Sequence, residues 1–481
     1  MRFNATSLAG TDLKLAACGL LMVLMQVILL ALSKKFGYGK DTLSTPLLWY
    51  VGLLVFSGVV YLIAIFCFRP EVLNRKCAAC IFLVGALMRM AAISSTPVKE
   101  DDFYRYFWDG AVVVEGFSPY RYAPDVLVPD GARDEGIPPA LEALAIESGE
   151  VIGRINHPHL RTIYPPVAQA AFSLAAFISP WSISAWRAVL LGFDLAAVCL
   201  LCALLGGMNR RLSWIMVYWW NPLLVKEIYN SAHMDILVAP FLVGAILLAN
   251  RRKHIFSAAC LGVAVGVKVW PVLLLPFVLR PAAKNWRRLV PALVTFLIVV
   301  GVVLVPLANG GFGSDSGVAE YSKGWEMNDS LYMLLLWCIR PALRLLDFQP
   351  GYAHLVTRAI VAAILAGLVL WAARKNTDGP ETLSSHCLLA TAALFLLSPT
   401  QFPWYYIWCL PFLTAIPRFS LLLLTVLLPL YYLRFYFDAT DTVSIFDNGV
   451  VWIEFFPVWF LIVWEWFREK AQHPDACVEA Q

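Results

Sequence analysis

Apolar runs of membrane-spanning length recur along the whole chain and restrict its fold more than any other feature. A helix of about 20 apolar residues crosses the hydrocarbon core of a bilayer. Candidate spans lie at 14–33, 47–68, 78–94, 186–206, 212–225, 234–250, 289–308, 354–373, 386–398, 404–416, 419–434 and 449–467. Because 60% of the 481 residues are hydrophobic and only 15% are charged, a water-soluble fold could not bury this apolar surface. The sequence therefore predicts an all-α polytopic membrane protein.

Lysines and arginines are grouped between alternate candidate spans. Such groups are enriched in cytoplasmic loops, and here they occur at 69–76, 210–211, 251–253, 280–288, 374–375 and 468–470. This distribution predicts a multi-pass protein of the cell inner membrane with both termini in the cytoplasm. Lys34, Lys35 and Lys40 are the exception, because this scheme puts their loop outside. The formal charge of +4 is too small and too scattered to indicate nucleic-acid binding.

The loops on the opposite side hold many of the acidic residues. These acids are Glu100, Asp101, Asp102, Asp109, Glu115, Glu320, Glu326, Asp329, Asp438, Asp441 and Asp447. The longest polar loop, 95–163, follows the third span and combines these acids with aromatic residues. We therefore expect the active site on the extracytoplasmic face.

Two apolar segments do not fit a simple alternation of sides. Segment 164–180 is short and opens with Tyr164, Pro165 and Pro166, while Lys268 and Pro271 interrupt segment 255–280. Irregular backbone at membrane depth occurs only where it lines a cavity or is buried in protein. We expect both segments to enter the membrane without crossing it.

The chain then divides into six regions. They are N-terminal membrane helices (1–94), an external acidic loop (95–163), a membrane core with re-entrant helices (164–308), an external loop with an interfacial helix (309–353), C-terminal membrane helices (354–467) and a cytoplasmic tail (468–481).

The densest group of polar residues begins the external loop. On a helix that starts near Asp101, the side chains of Asp102, Arg105, Tyr106 and Asp109 share one face. Acids at a helix N-terminus are also favoured by the helix dipole, and Arg105 could simply pair with Asp101. Two adjacent acids near a bilayer surface alternatively suit a general base or a divalent-cation site formed by Asp101 and Asp102.

Ionisable residues between two apolar spans form a second group. Lys226, Glu227, His233 and Asp235 are costly at membrane depth unless they are paired or used. An interfacial Lys226–Glu227 anchor is the structural alternative. Lys268 is harder to explain in this way, because a lysine can extend its amine to water only from near a surface.

Aromatic residues near the C-terminus form a third group. Trp404 and Tyr405 follow Pro403, and Arg434 lies beyond the next span among further aromatic residues. An interfacial aromatic belt is the ordinary interpretation. The alternative is a wall on which sugar rings stack, with Arg434 as a phosphate ligand.

These motifs together resemble the GT-C superfamily of polytopic glycosyltransferases, and most closely its bacterial mannosyltransferase-like members. The resemblance covers roughly residues 85–415 and includes the acidic loop, Tyr164-Pro-Pro, Asn221-Pro…His233-Met-Asp235, Gly266-Val-Lys268…Pro271 and Pro403-Trp-Tyr. It implies a bundle of about 12–14 membrane helices, in which two extra spans precede the loop where many members have one.

The resemblance also implies roles for individual residues. Asp102 matches the base that deprotonates the acceptor hydroxyl, with Asp101 as its rival. Asp235 matches a second acid, and Lys268 matches a lysine implicated in holding lipid phosphate. Further donor- or substrate-binding candidates are Arg105, Tyr106, Asp109, Tyr164, Lys226, His233, Trp404, Tyr405 and Arg434.

The expected reaction is transfer of a sugar, such as the hexose mannose, from a polyprenyl-phosphate carrier to an extracytoplasmic lipid, glycan or protein. The partners are then this lipid donor and the membrane lipids. A lipid-linked polysaccharide ligase or polymerase is the nearer alternative, and a secondary transporter is the more distant one. No cofactor is assigned, a divalent cation is left open, and the sequence does not specify the oligomeric state.

Overall fold

The computed structural model describes residues 5–69, 73–127, 136–310, 326–349, 351–375 and 379–472. Glu320 and residues 473–481 of the predicted tail lie outside these ranges. The described residues are almost entirely helical, and their β-structure is limited to one isolated bridge between Met327 and Thr400. The prediction of an all-α polytopic membrane protein is confirmed.

Long apolar helices form the bundle. Those that are long enough to span a bilayer are α1 (Ala5–Ser33), α2 (Leu47–Cys67), α3 (Arg75–Ile93), α7 (Ile183–Gly207), α11 (Trp286–Gly310), α13 (Gly351–Arg374), α14 (Pro380–Leu397), α16 (Phe419–Ala439) and α17 (Val443–Gln472). Between them lie α4 (Phe103–Val114), α5 (Pro139–Glu147), α6 (Pro166–Ile178), α8 (Ala239–Asn250), α9 (His254–Val267), α10 (Trp270–Ala282), α12 (Leu331–Leu345) and α15 (Leu410–Ala415).

The described ranges contain nine helices of spanning length, or ten if one bent pair counts as a span. The sequence-based figure of about 12–14 is higher because it included short apolar segments. Segment 212–225 is divided among short helical turns, and 404–416 consists of a 3₁₀ segment, Pro403–Cys409, followed by α15. Apolar composition alone does not reveal these breaks.

Broken helices are concentrated in the middle of the chain. Helix α6 has 13 residues, and the helices on either side of Lys268 are also shorter than a straight span requires. The backbone at Lys268 is extended, so the interruption lies where the sequence predicted it. The segments Pro222–Asn230 and Met234–Asn250 meet at an angle of 109°. This sharp bend contains Ala232 and His233.

Polar contacts fix the start of loop 95–163 against this bend. Arg187 on α7 donates to the carbonyls of Ile93 and Asn230, at 2.7 and 2.9 Å. The Asn230 amide donates to Ser95 Oγ and accepts a bond from the Val98 N–H. Buried polar groups require such partners in an apolar bundle, and the result is that residues 95–102 are held beside 230–235.

Helix α4 is packed closely on α6. A Cβ at Gly110 would collide with the carbonyl group of Phe172, so glycine is the residue that permits this approach. The Tyr106 ring stacks on the Phe172 ring with centroids 4.6 Å apart. This packing sets the direction of α4, and therefore the position of the acids that precede it.

A buried ion pair joins α3 and α7 and was not predicted. Arg89 Nε donates to Asp194 Oδ2 at 2.6 Å, and its guanidinium lies 3.5 Å from the Trp219 ring centroid. Arg89 is 1% exposed and Asp194 is fully buried. A lone charge at this depth would be costly, so we interpret the pair as a structural connection between the two helices.

Candidate active site

Eight of the thirteen sequence-predicted site residues line a cavity of about 830 Å³. Its lining includes Asp101 and Asp102 at the start of loop 95–163. It also includes the break at Lys268 and residues of the aromatic 3₁₀ segment Pro403–Cys409. Segments that are distant in sequence thus form a single chamber large enough for a sugar and its phosphate.

Three consecutive acids line one wall of this cavity. Asp101 contacts the amide nitrogen of Asn156, and Asp102 Oδ2 lies 3.6 Å from His233 Nδ1. Glu100 Oε2 lies 3.6 Å from His233 Nε2. The Asp102 side chain retains 30% exposure, whereas that of Glu100 has 8%. Asp102 is therefore both reachable from the cavity and close to a potential cation.

The two aspartates differ in acidity. Burial, together with the neighbouring charges of Asp102 and Glu100, raises the pKa of Asp101 to about 7. Burial also raises the pKa of Asp102, but interaction with His233 outweighs this effect and leaves the pKa below its usual value of 3.8. At neutral pH Asp102 is ionised and able to accept a proton, while Asp101 is only partly ionised.

The pH dependence of turnover distinguishes the two candidate bases. With Asp102 as the base, we expect kcat to stay nearly constant from about pH 8 to about pH 6, because Asp102 remains ionised throughout. With Asp101 as the base, kcat should fall about tenfold per pH unit below about 7. A pH–rate profile of the purified enzyme, with its folded state checked at each pH, provides the measurement.

Lys268 also lines the cavity. Its Nζ donates to Asp235 Oδ1 at 2.6 Å, and the same oxygen accepts a 2.7 Å bond from Trp408 Nε1. Asp235 is 1% exposed, whereas the Lys268 side chain is 17% exposed. Asp235 thus orients the lysine, and the lysine presents a cation to the cavity.

Aromatic rings surround the Lys268 amine. Its Nζ lies 4.2 Å from the Tyr405 ring centroid and 4.7 Å from that of Trp408. Trp408 stacks on Trp270 at 5.1 Å, and Trp404 stacks on Phe402 at 4.4 Å. Such faces suit both stacking with sugar rings and contact with a cation. Trp404 and Tyr405 line the cavity together with Trp408 and Trp270, and their role in sugar binding stays a prediction.

Arg105 and Asp109 do not line this cavity. Arg105 Nε donates to Asp109 Oδ1 at 2.8 Å, and its Nη1 donates to the Leu160 carbonyl at 2.9 Å. Asp109 also accepts a 3.0 Å bond from Gln169. The pair thus connects α4 to the end of loop 95–163 and to α6. By contrast, Tyr106 and Tyr164 do line the cavity, with ring centroids 5.1 Å apart.

The three cations predicted to bind phosphate are in different environments. Of Lys226, Lys268 and Arg434, only Lys268 lines the cavity in the described part of the chain. Lys226 is 1% exposed, and its Nζ donates to Tyr432 Oη at 2.8 Å and lies 4.0 Å from Glu227. Arg434 is half-buried on α16. Lys268 is therefore better placed to bind phosphate in the cavity than Lys226 or Arg434.

Several cavity residues were not selected from the sequence. Trp270 and Met327 line the cavity, but each has a common alternative role in an interfacial belt or loop. Backbone geometry provides a signal that sequence does not. Four residues beside the site have positive φ, and these are Lys99 (61°), His157 (51°), Ala232 (62°) and Asn328 (56°). Such backbone is strained by about 1–3 kcal/mol per residue and occurs often at functional sites.

The predicted divalent-cation site has too few ligands in the described residues. Among these residues, no group of three or more His, Cys, Asp or Glu side chains is arranged to hold a metal ion. Asp101 and Asp102 supply two carboxylates, one of which already contacts Asn156. These two aspartates do not form a metal site without further ligands.

Comparison with known proteins finds similar glycosyltransferases. The model of glycosyltransferase family 87 matches residues 162–399. A Mycobacterium tuberculosis protein named alpha-(1->6)-mannopyranosyltransferase A is 24% identical over 415 residues, which cover 80% of this chain and 72% of the relative. A Corynebacterium glutamicum protein of the same name is 22% identical over 422 residues, covering 77% of this chain and 78% of the relative. No solved structure gives a significant match.

The chain is therefore a multi-pass membrane glycosyltransferase. It is of the GT-C type, and its match to glycosyltransferase family 87 covers α6 to α14, including Asp235 and Lys268. The resemblance identified from the sequence is confirmed.

Proposed function

We propose that the protein transfers mannose from a polyprenyl-phosphate carrier to an acceptor on the extracytoplasmic face of the inner membrane. The observation that carries the proposal is that two carboxylates, Asp101 and Asp102, and the partly buried Lys268 line one cavity. The names of the two relatives support mannose as the sugar. The acceptor is a hydroxyl of a lipid, glycan or protein.

The proposed chemistry divides between Asp102 and Lys268. Asp102 accepts the proton of the acceptor hydroxyl as its oxygen attacks C1 of the sugar. The bond between C1 and the phosphate oxygen breaks, and polyprenyl phosphate leaves with the bonding electron pair. Negative charge grows on the phosphate during this step, so the fixed Lys268 cation stabilises the transition state more than the ground state. Asp235 holds the amine in position.

The cavity walls also support a lipid-linked donor. Apolar side chains of α11 and α14, including Leu304, Leu307, Leu394 and Phe395, line the cavity together with Val269. These side chains suit the first isoprene units of a polyprenyl tail. Nucleotide-sugar enzymes instead use an α/β domain with a phosphate-binding loop at a helix N-terminus, and the described residues form no such sheet.

A reconstituted assay tests the proposal. Purified protein should release polyprenyl phosphate from polyprenyl-phosphate mannose when an acceptor is added, and should not release GDP from GDP-mannose. The preparation must be free of the synthases that interconvert the two donors. Efficient transfer from GDP-mannose alone would contradict the lipid-donor assignment. Transport of the lipid donor without cleavage would instead favour a transporter.

The orientation of the protein is tested by cysteine labelling in intact cells. A cysteine at Ser118, in the external loop, should react with a membrane-impermeant maleimide, whereas one at Asn209 should react only after permeabilisation. Because Cys67, Cys199 and Cys338 are exposed, the background variant must lack them. The reversed pattern would place the catalytic cavity on the cytoplasmic side.

A further inference from the structure

His233 lies next to Glu100 and Asp102 but does not line the cavity. The residue is fully buried and is not among those that line the cavity. Its ring stacks on Trp404, with centroids 3.9 Å apart and an interplanar angle of 16°. Because Trp404 does line the cavity, His233 can influence the reaction from behind this residue without touching the sugar.

Three carboxylates surround the His233 ring. Nδ1 lies 3.6 Å from Asp102 Oδ2, and Nε2 lies 3.6 Å from Glu100 Oε2 and 3.8 Å from Glu227 Oε2. Neither ring nitrogen has a partner within hydrogen-bonding distance. Contacts of this length between an imidazole and three acids are electrostatic, and they favour the protonated ring.

The positively charged groups near these carboxylates do not balance the negative charge of the carboxylates. Lys226 lies 4.0 Å from Glu227, and the Tyr432 hydroxyl donates to Glu227 at 2.9 Å. Lys226 and Lys268 thus act on three acids, with Asp101 next in sequence to two of them, and Lys268 is also paired with Asp235. Unpaired carboxylates are costly in a buried site. A protonated His233 reduces this excess of negative charge.

We propose that His233 is a positively charged positioning residue that keeps Asp102 ionised and directed at the acceptor hydroxyl. This inference rests on the proposed function, with Asp102 as the base, and it replaces the sequence-based expectation that His233 binds substrate. The acceptor proton moves to Asp102 as the acceptor oxygen bonds to C1 and phosphate leaves. His233 keeps its own proton throughout, and its charge makes the ionised form of Asp102 the resting state.

The acidic limb of the pH–rate profile tests the role of His233. In His233→Gln, the adjacent cation is lost, and the pH at which the rate falls should rise by about one to three units. An opposite charge within about 4–6 Å changes a carboxyl pKa by that amount. The rate should recover at high pH, where Asp102 is again ionised. His233→Lys preserves a positive charge and should leave the limb close to that of the wild type.

His386→Gln is the matched control. His386 is a half-buried histidine on α14 that contacts Phe277, with ring centroids 5.6 Å apart, and its loss should leave the limb unchanged. An unshifted limb in folded His233→Gln, or inactivity at every pH, would contradict the proposal. If His233→Gln does not fold, an acidic limb at higher pH in His233→Lys than in the wild type would contradict the proposal. An inactive wild type would instead contradict the proposed function itself.

Discussion

Replacement of Asp102 by Asn is expected to lower kcat at least about a hundredfold, the scale on which a general base contributes to catalysis. Asparagine has nearly the same size and can still face His233, but it cannot accept the acceptor proton. Because Asp102 is partly exposed to the cavity, the substitution should have little effect on the yield of folded protein. Single-turnover release of polyprenyl phosphate gives the rate without interference from product dissociation.

Asp101→Asn is the matched control for this prediction. It changes the neighbouring carboxylate, which lines the same wall and contacts Asn156. We expect a smaller loss of activity than in Asp102→Asn. Wild-type turnover in Asp102→Asn, combined with a large loss in Asp101→Asn, would transfer the role of base to Asp101.

Replacement of Lys268 by Met is expected to raise the KM for the lipid-phosphate donor at least about tenfold and also to lower kcat. The substitution removes the cation that faces the proposed phosphate position, and such contacts are commonly worth 2–5 kcal/mol when buried. Titration of the donor at saturating acceptor separates the two parameters. An unchanged donor KM would contradict phosphate binding by Lys268.

A double substitution separates phosphate binding from a purely structural role. Lys268→Met alone leaves the buried Asp235 carboxylate with only the Trp408 hydrogen bond, and an unpaired buried charge destabilises the fold. Adding Asp235→Asn removes that charge. If Lys268 serves only to neutralise Asp235, the double variant should regain activity. If Lys268 binds phosphate, the double variant should regain stability but retain the high donor KM.

The sequence predicted the class of fold because hydrophobic length is a local property. Runs such as Leu47–Cys67 are fully specified by their own residues, and so is the break at Lys268. By contrast, segments 212–225 and 404–416 have apolar composition but fold into short helical turns. Trp404 in the second segment stacks on His233 at the bend, and composition does not reveal such a contact.

The candidate site was predicted only in part, for the same physical reason. Asp102, Asp235 and Lys268 could be selected because charges near an apolar segment are costly unless they have a role. Arg105 and Asp109 meet the same criterion, yet they pair with each other at 2.8 Å. Whether a buried charged residue has a structural or a catalytic role depends on which residues from distant parts of the chain contact it. The Trp408 bond to Asp235, which spans 173 residues, is such a contact.

The structure of a complex with a non-cleavable polyprenyl-phosphonate analogue of the donor tests the central claim most directly. Our account predicts a phosphonate oxygen within hydrogen-bonding distance of Lys268 Nζ, the sugar ring against the aromatic residues of Pro403–Cys409, and C1 open to attack from the side of Asp102. The polyprenyl chain should leave between α11 and α14. A head group bound outside this cavity, or inside it with C1 facing away from both Asp101 and Asp102, would contradict the account.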